Sequence, residues 1–365
     1  MSQTTALARL APQMADYDLL GKVDWRPYLM FFQQPDFVSQ SVTTDRLGFR
    51  RTLNGGALFG IDDVGDRPVN LLLGNSVAFG VGATSDGASL ASRLTAHGDG
   101  CWLNFCGRAF GAMQELILFQ AYRYRLPGIR RVALCTGLND LYLSYAPKVF
   151  DETFGVFFFS EVFFKAMCGT QARLSRKRSV LAAMLSPFYG DRIDYGRVKL
   201  RELPRMLLQP PPGAPAEPDY LALVAERRHL RGRIIDQLER TLEIWAALAR
   251  VFGFELSYAL QPMLPWTGKQ WTPEERELVA EADGIGGRWH RILRAVLDDD
   301  HHRWYSARLS DLCRRLKIQF IDMNEQFRDQ QAWLFLDRVH LNDAGQDLAA
   351  RRLIDALGLK RGQAA

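Results

Sequence analysis

Five short apolar runs, each closed by turn-forming residues and separated by helix-period sequence, constrain this chain more than any other feature. The runs are Val69–Leu73, Cys101–Phe105, Arg131–Thr136, Phe254–Leu260 and Ile318–Ile321. Short apolar runs of this kind are the pattern of parallel strands buried on both faces of a sheet. Helical periodicity fills the gaps, at about 85–96, 110–124, 220–252, 273–298, 303–316 and 343–357. Strand and helix therefore alternate. This predicts a three-layer α/β/α fold, a flavodoxin-like doubly wound parallel sheet with helices on both faces.

The connection between the third and fourth runs is too long for one crossover, spanning about 115 residues where a βαβ unit takes a few tens. It contains an aromatic stretch (FGVFFFSEVFF), a basic run, a proline-rich joint at Leu208–Pro218, and an amphipathic segment from Tyr220 to Phe252. The expected organisation is an N-terminal extension packing on the core (1–66), a core (67–150 and 251–365), and a mostly helical insertion (151–250). The aromatic stretch reads as packing against the core in preference to lining an acyl pocket.

With 365 residues, 47% of them hydrophobic, the chain can bury a core that needs no disulfide. The five cysteines, at 101, 106, 135, 168 and 313, lack the CxxC spacing of a zinc or redox site. Three fall in apolar stretches, so small buried residues of a reducing compartment are expected. The net charge of +5 is modest and partly local, in Arg173/Arg176/Lys177/Arg178 and Arg227/Arg228/Arg231/Arg233. No nucleic-acid motif accompanies these clusters. They read as solvated helix faces, with an acidic partner surface as the alternative. No apolar run approaches the ~20 residues of a membrane span, and the N-terminus lacks a secretory h-region. A cytoplasmic protein is expected.

Four segments carry chemistry. In VNLLLGNSVAFGVGATSDG an apolar strand runs into Gly74-Asn75-Ser76, placing Ser76 at a strand's carboxyl end, where open α/β sheets bind ligands. Ala78 occupies the last glycine's place of a GxSxG elbow, so this is a different turn, and alone it is equally a structural serine. In CWLNFCGRAFGAMQEL a strand ends at Asn104, and a glycine-bearing loop can offer a backbone N–H beside the serine; alone it is an ordinary strand-to-helix turn. RVALCTGLNDLYL brings Asn139 to the same edge, as a neutral hydrogen-bond donor or as a helix cap. FLDRVHLNDAGQDLAARRLI places Asp337 and His340 before the last helix, a carboxylate and an imidazole suited to orienter and base. Of the six histidines, His229, His290, His301 and His302 lie in charged helical surroundings and read as surface. His97, in AHGDG, is the one rival base.

Taken in order, these segments resemble the four blocks of the SGNH/GDSL hydrolase superfamily, over about residues 40–357 without most of the insertion. DRLGFRRT, GRAFGAMQEL and LQPMLPWTGKQWTPEE also look like a bacterial subgroup, whose members often accompany polysaccharide or secondary-metabolite pathways. The resemblance implies Ser76 as nucleophile, His340 as general base and Asp337 as its orienting carboxylate. The Ser76 N–H, a block-two N–H and the Asn139 amide would form the oxyanion hole. The block-two position falls on Ala109, where the family usually has glycine; Gly107 is the nearest glycine. Asn75 stands where the family more often has Asp, and can hold the loop by hydrogen bonding. No metal or organic cofactor is implied.

Three functions follow from this reading. The first is an esterase acting on an acyl ester, such as a carbohydrate or natural-product intermediate. The second is an acyltransferase using the same serine, with an acyl carrier protein as donor. The third is a non-catalytic binding protein, if Asn75 and Ala109 signal decay.

Overall fold

The five apolar runs form one wholly parallel sheet: β1 (Val69–Gly74), β2 (Trp102–Cys106), β3 (Ile129–Thr136), β4 (Glu255–Leu260) and β5 (Gln319–Asp322). The computed structural model describes residues 5–20, 23–145, 157–159, 163, 219–228 and 231–359. The strand order is β2-β1-β3-β4-β5, with every ladder parallel. This is the doubly wound order 2-1-3-4-5. Its winding direction reverses beside β1 and β3, and the crevice beyond their carboxyl ends is where such sheets take ligands. All six residues of β1 and all five of β2 are buried, which is why they carry no polar alternation.

In chain order the helices are α1 (Ala6–Leu10), α2 (Met14–Leu19), α3 (Ser76–Phe79), α4 (Leu90–His97), α5 (Ala112–Tyr122) and α6 (Leu138–Tyr145). They continue with α7 (Tyr220–Arg227), α8 (Arg231–Phe252), α9 (Pro273–Ile285), α10 (Arg288–Val296), α11 (Asp299–Leu316) and α12 (Asp343–Leu357). Helices α4 and α12 pack together, as do α5, α8 and α11, giving the flanking layers of the α/β/α arrangement. One expected helix over 273–298 is two. Gly286 and Gly287, at φ +72° and +93°, stop α9 and start α10.

Helices α7 and α8 belong to the same compact unit as the sheet, residues 1–158 and 220–365, while 159–219 form a second unit. The core boundary expected at 250/251 therefore differs from the observed division. Helix α8 buries Ile234, Ile235, Leu238, Leu242 and Trp245, and Trp245 lies against Phe119 of α5 at 4.8 Å. Of the aromatic stretch, Phe158 stacks on Tyr142 at 5.2 Å and meets Trp289 edge-on at 5.5 Å. Cys168, the basic run at 173–178 and the proline-rich joint lie outside the described residues. Cys106, Cys135 and Cys313 are buried; Cys101, expected to be so, is half-buried.

The N-terminal extension adds no strand to the main sheet, yet it reaches the site through Arg50. This guanidinium is wholly buried, pairs with Asp86 at 2.8 Å, and donates to the carbonyls of Phe79 and Gly80 at the end of α3. It also donates to the carbonyls of Ser41 and Ser85. A lone buried cation would be costly, but here every direction of the planar fork finds an oxygen. No helix among the described residues is long and apolar enough to cross a membrane.

Candidate active site

The register of the sheet brings three loops to one edge. Gly74 pairs with Cys106 on one side and Cys135 on the other, so the chain leaves β1, β2 and β3 at the same level. Gly74 is required there. Its φ is +152°, and a Cβ would stand 2.1 Å from the Cys135 carbonyl oxygen and 2.7 Å from the Ala78 Cβ. The next residue, Asn75, is extended and caps α3 through its Oδ1, which accepts the Val77 N–H at 3.1 Å. Ser76, half-buried, opens that helix.

The fourth loop arrives from the far end of the chain. His340 Nε2 lies 2.9 Å from Ser76 Oγ, and His340 Nδ1 lies 2.6 Å from Asp337 Oδ2. Asp337 Oδ1 accepts the backbone N–H groups of Val339 and His340, both at 2.7 Å. Burial alone would raise this carboxyl. The charge of His340 and these hydrogen bonds outweigh it and hold Asp337 at about 2. An ionised carboxylate on Nδ1 keeps the proton there, leaving the Nε2 lone pair facing the serine hydroxyl.

Of the two block-two residues, Gly107 is committed to the sheet: its N–H donates to the Gly74 carbonyl at 3.0 Å. Its hydrogen side also abuts the Phe110 ring, 2.2 Å from where a Cβ would be. Ala109 differs. It adopts φ +60°, and its N–H meets no acceptor among the described residues, nor does that of Ser76. The left-handed conformation costs an L-residue roughly 1–2 kcal/mol. Ala109→Gly is therefore expected to raise stability by up to about 1 kcal/mol after glycine's larger chain entropy is subtracted, and Ala109→Val to lower it. Urea unfolding of the two variants checks this; an Ala109→Gly protein less stable than the parent would contradict it.

Asn139 opens α6 almost fully buried, and its Nδ2 donates to the Phe110 carbonyl at 2.7 Å. This ties the third loop to the second and, among the described residues, leaves the other Nδ2 hydrogen uncommitted. The neighbouring Asp140 accepts the Ala112 N–H, securing the start of α5.

The other histidines fall elsewhere. His97 pairs with Asp347 at 2.6 Å, between α4 and α12, away from Ser76. His301 and His302, expected at the surface, are buried. His301 sits between Asp298 and Tyr145, while His302 bonds Asp322 and stacks on Trp266 at 4.9 Å. Their helix reads as polar because Asp298 caps it and Asp299 and Asp300 fill its first turn. His290 is half-buried rather than exposed. Burial lowers its pKa, and it feels the charges of Asp337 and His340. His229 lies outside the described residues.

Two partners went unseen in the sequence. Arg338, inside the Asp337–His340 loop, forms a bidentate pair with Asp283 of α9 at 2.6 and 2.8 Å, anchoring that loop. Gln261, one residue past β4, accepts from Asn75 Nδ2. No group of three or more metal-ligating side chains occurs among the described residues.

No family model matches the chain, and no curated protein does. Among solved structures it is similar to the extracellular lipase of Streptomyces rimosus, at 14% identity and a TM-score of 0.40. The match covers 80% of this chain and 99% of that one.

Proposed function

We propose that the chain is an ester hydrolase of the SGNH/GDSL type, working through an acyl-enzyme on Ser76. The observation that carries this reading is the hydrogen-bonded run from Ser76 Oγ through His340 to the ionised Asp337, at the carboxyl rim of a parallel sheet. In the first step Ser76 Oγ bonds to the ester carbonyl carbon while its proton moves to His340 Nε2. The carbonyl oxygen becomes an oxyanion. The Ser76 and Ala109 N–H groups and the uncommitted Asn139 hydrogen are the donors available to it, each worth about 10²–10³ in rate. Collapse expels the alkoxide, which takes the proton from His340. Water, deprotonated by the same imidazole, then attacks the acyl-serine; the carboxylic acid leaves and Oγ regains its proton. Asp337 stays ionised throughout and stabilises the imidazolium.

A fluorophosphonate probe with peptide mass spectrometry tests the reading. Labelling of the parent protein is expected at Ser76 alone, with Ser76→Ala unlabelled, folded, and slower on a short-chain p-nitrophenyl ester by about 10⁴-fold or more. A folded parent that neither labels at Ser76 nor turns over such esters would remove the proposal.

A further inference from the structure

Asn75 immediately precedes Ser76, and its side chain is committed at both ends. Its Oδ1 accepts from Val77, and its Nδ2 donates to Gln261 Oε1. The first bond fixes which end of the Asn75 amide is oxygen. The end facing Gln261 is then a donor, so Gln261 has to present its carbonyl oxygen. Asn75 is 1% exposed and Gln261 0%, so solvent does not substitute for either group.

Gln261 is itself held on several sides. Its N–H donates to the Thr136 carbonyl at 3.2 Å, and its own carbonyl accepts from Asn324 Nδ2 at 3.2 Å. Asn324 is fixed in turn by Asp322 Oδ1 at 2.9 Å. A polar rail thus runs under the rim from the end of β5, past β4, to the residue before the serine. Gln261 Nε2 has no acceptor among the described residues. A buried amide with one end unsatisfied is unfavourable, and an apolar side chain of similar size would avoid that. What the amide supplies, and an apolar chain cannot, is the acceptor for Asn75.

We infer that Gln261 is a positioning residue for the nucleophile. By holding Asn75 Nδ2 it fixes the Asn75–Ser76 peptide plane, and so the direction of the Ser76 N–H and of the hydroxyl beside it. The inference rests on Ser76 being the nucleophile, as proposed above. It also gives Asn75 a reason: an aspartate has no hydrogen to donate to the Gln261 carbonyl.

The test is a double-mutant cycle, read by kcat and KM on a short-chain p-nitrophenyl ester, by the rate of fluorophosphonate labelling, and by thermal melting. Gln261→Leu and Asn75→Ala are each expected to lower kcat and the labelling rate by about tenfold or more, with KM moving less than about threefold. The double variant is expected to lose no more than the worse single, because both changes remove one constraint. Gln261→Glu, which still offers an acceptor, is expected to recover most of the loss. Losses that multiply in the double variant would overturn the inference. So would a Gln261→Leu protein whose kcat and labelling stay within twofold of the parent. If Gln261→Leu does not fold, the same cycle is run with Gln261→Met. A parent protein unlabelled at Ser76 is a different failure: it removes the nucleophile and the inference with it.

Discussion

Replacing Asp337 by asparagine is expected to lower kcat about 10⁴-fold while leaving the protein folded. The two carboxylate oxygens have separate tasks. Oδ1 takes the backbone N–H groups of Val339 and His340, and Oδ2 takes the ring N–H of His340. Asparagine has one oxygen, and the two backbone donors claim it. Its NH₂ then faces His340 Nδ1 and needs a lone pair there. The ring proton moves to Nε2, so the atom facing Ser76 becomes a donor and no longer accepts the hydroxyl proton. The loop survives while the base is disabled. Steady-state kinetics beside a thermal melt check this, and a loss under about tenfold would mean that Asp337 does not orient the imidazole. The same substitution removes an acid-side contribution to stability. Because the folded pKa is depressed to about 2, that contribution is present above the unfolded value near 3.9 and lost as pH falls through about 2.

The second large effect lies beneath the site. Glu115 of α5 is 1% exposed, accepts the Thr136 hydroxyl at 2.6 Å, and is pushed up to about 8 by burial and by the nearby Asp140. The sign here is opposite to that of Asp337. Between the unfolded value near 4.3 and about 8, the native state keeps a proton that the unfolded chain releases. Glu115 therefore lowers stability as pH rises across that window. Asp140, raised by burial to about 6, adds a similar slope from about 3.9 to 6. Glu115→Gln keeps a carbonyl for Thr136 and does not ionise. It is expected to flatten the decline and leave the variant more stable than the parent near pH 8. Urea unfolding at a series of pH values measures it; parallel curves for the two proteins would show that Glu115 ionises normally.

The strands were legible to within a residue or two because a parallel sheet covered on both faces leaves no room for polar alternation. Val69–Leu73 and Phe254–Leu260, for example, become Val69–Gly74 and Glu255–Leu260. The last helix was equally plain, bounded by Asn342 and Gly358. The break at Gly286-Gly287 was on view but was overridden by the apolar period on either side of it. The loops bearing Ser76, Ala109, Asn139, Asp337 and His340 could be assigned to the sheet's rim, since each follows a strand or precedes a helix. Gln261, Asp283 and Arg50 could not be assigned, because nothing local says which distant group a buried amide or ion pair will meet. His301 and His302 misled for a related reason: the polar residues flanking them are spent on capping, and the helix face they occupy is set by packing.

Arg50 has a consequence for how much of this chain is needed to make a working site. Cutting immediately before β1 would preserve every strand of the main sheet and all the side chains assigned to chemistry. It would also remove the guanidinium donor from the carbonyls of Phe79 and Gly80, leaving them the Asn104 amide and the Ala83 N–H, and strand Asp86 without its counter-ion. The smallest piece that keeps the serine turn taut therefore starts well upstream of the sheet, in sequence where a buried guanidinium acts as a bolt and Tyr17 adds a hydroxyl on the Gly80 and Ala83 carbonyls.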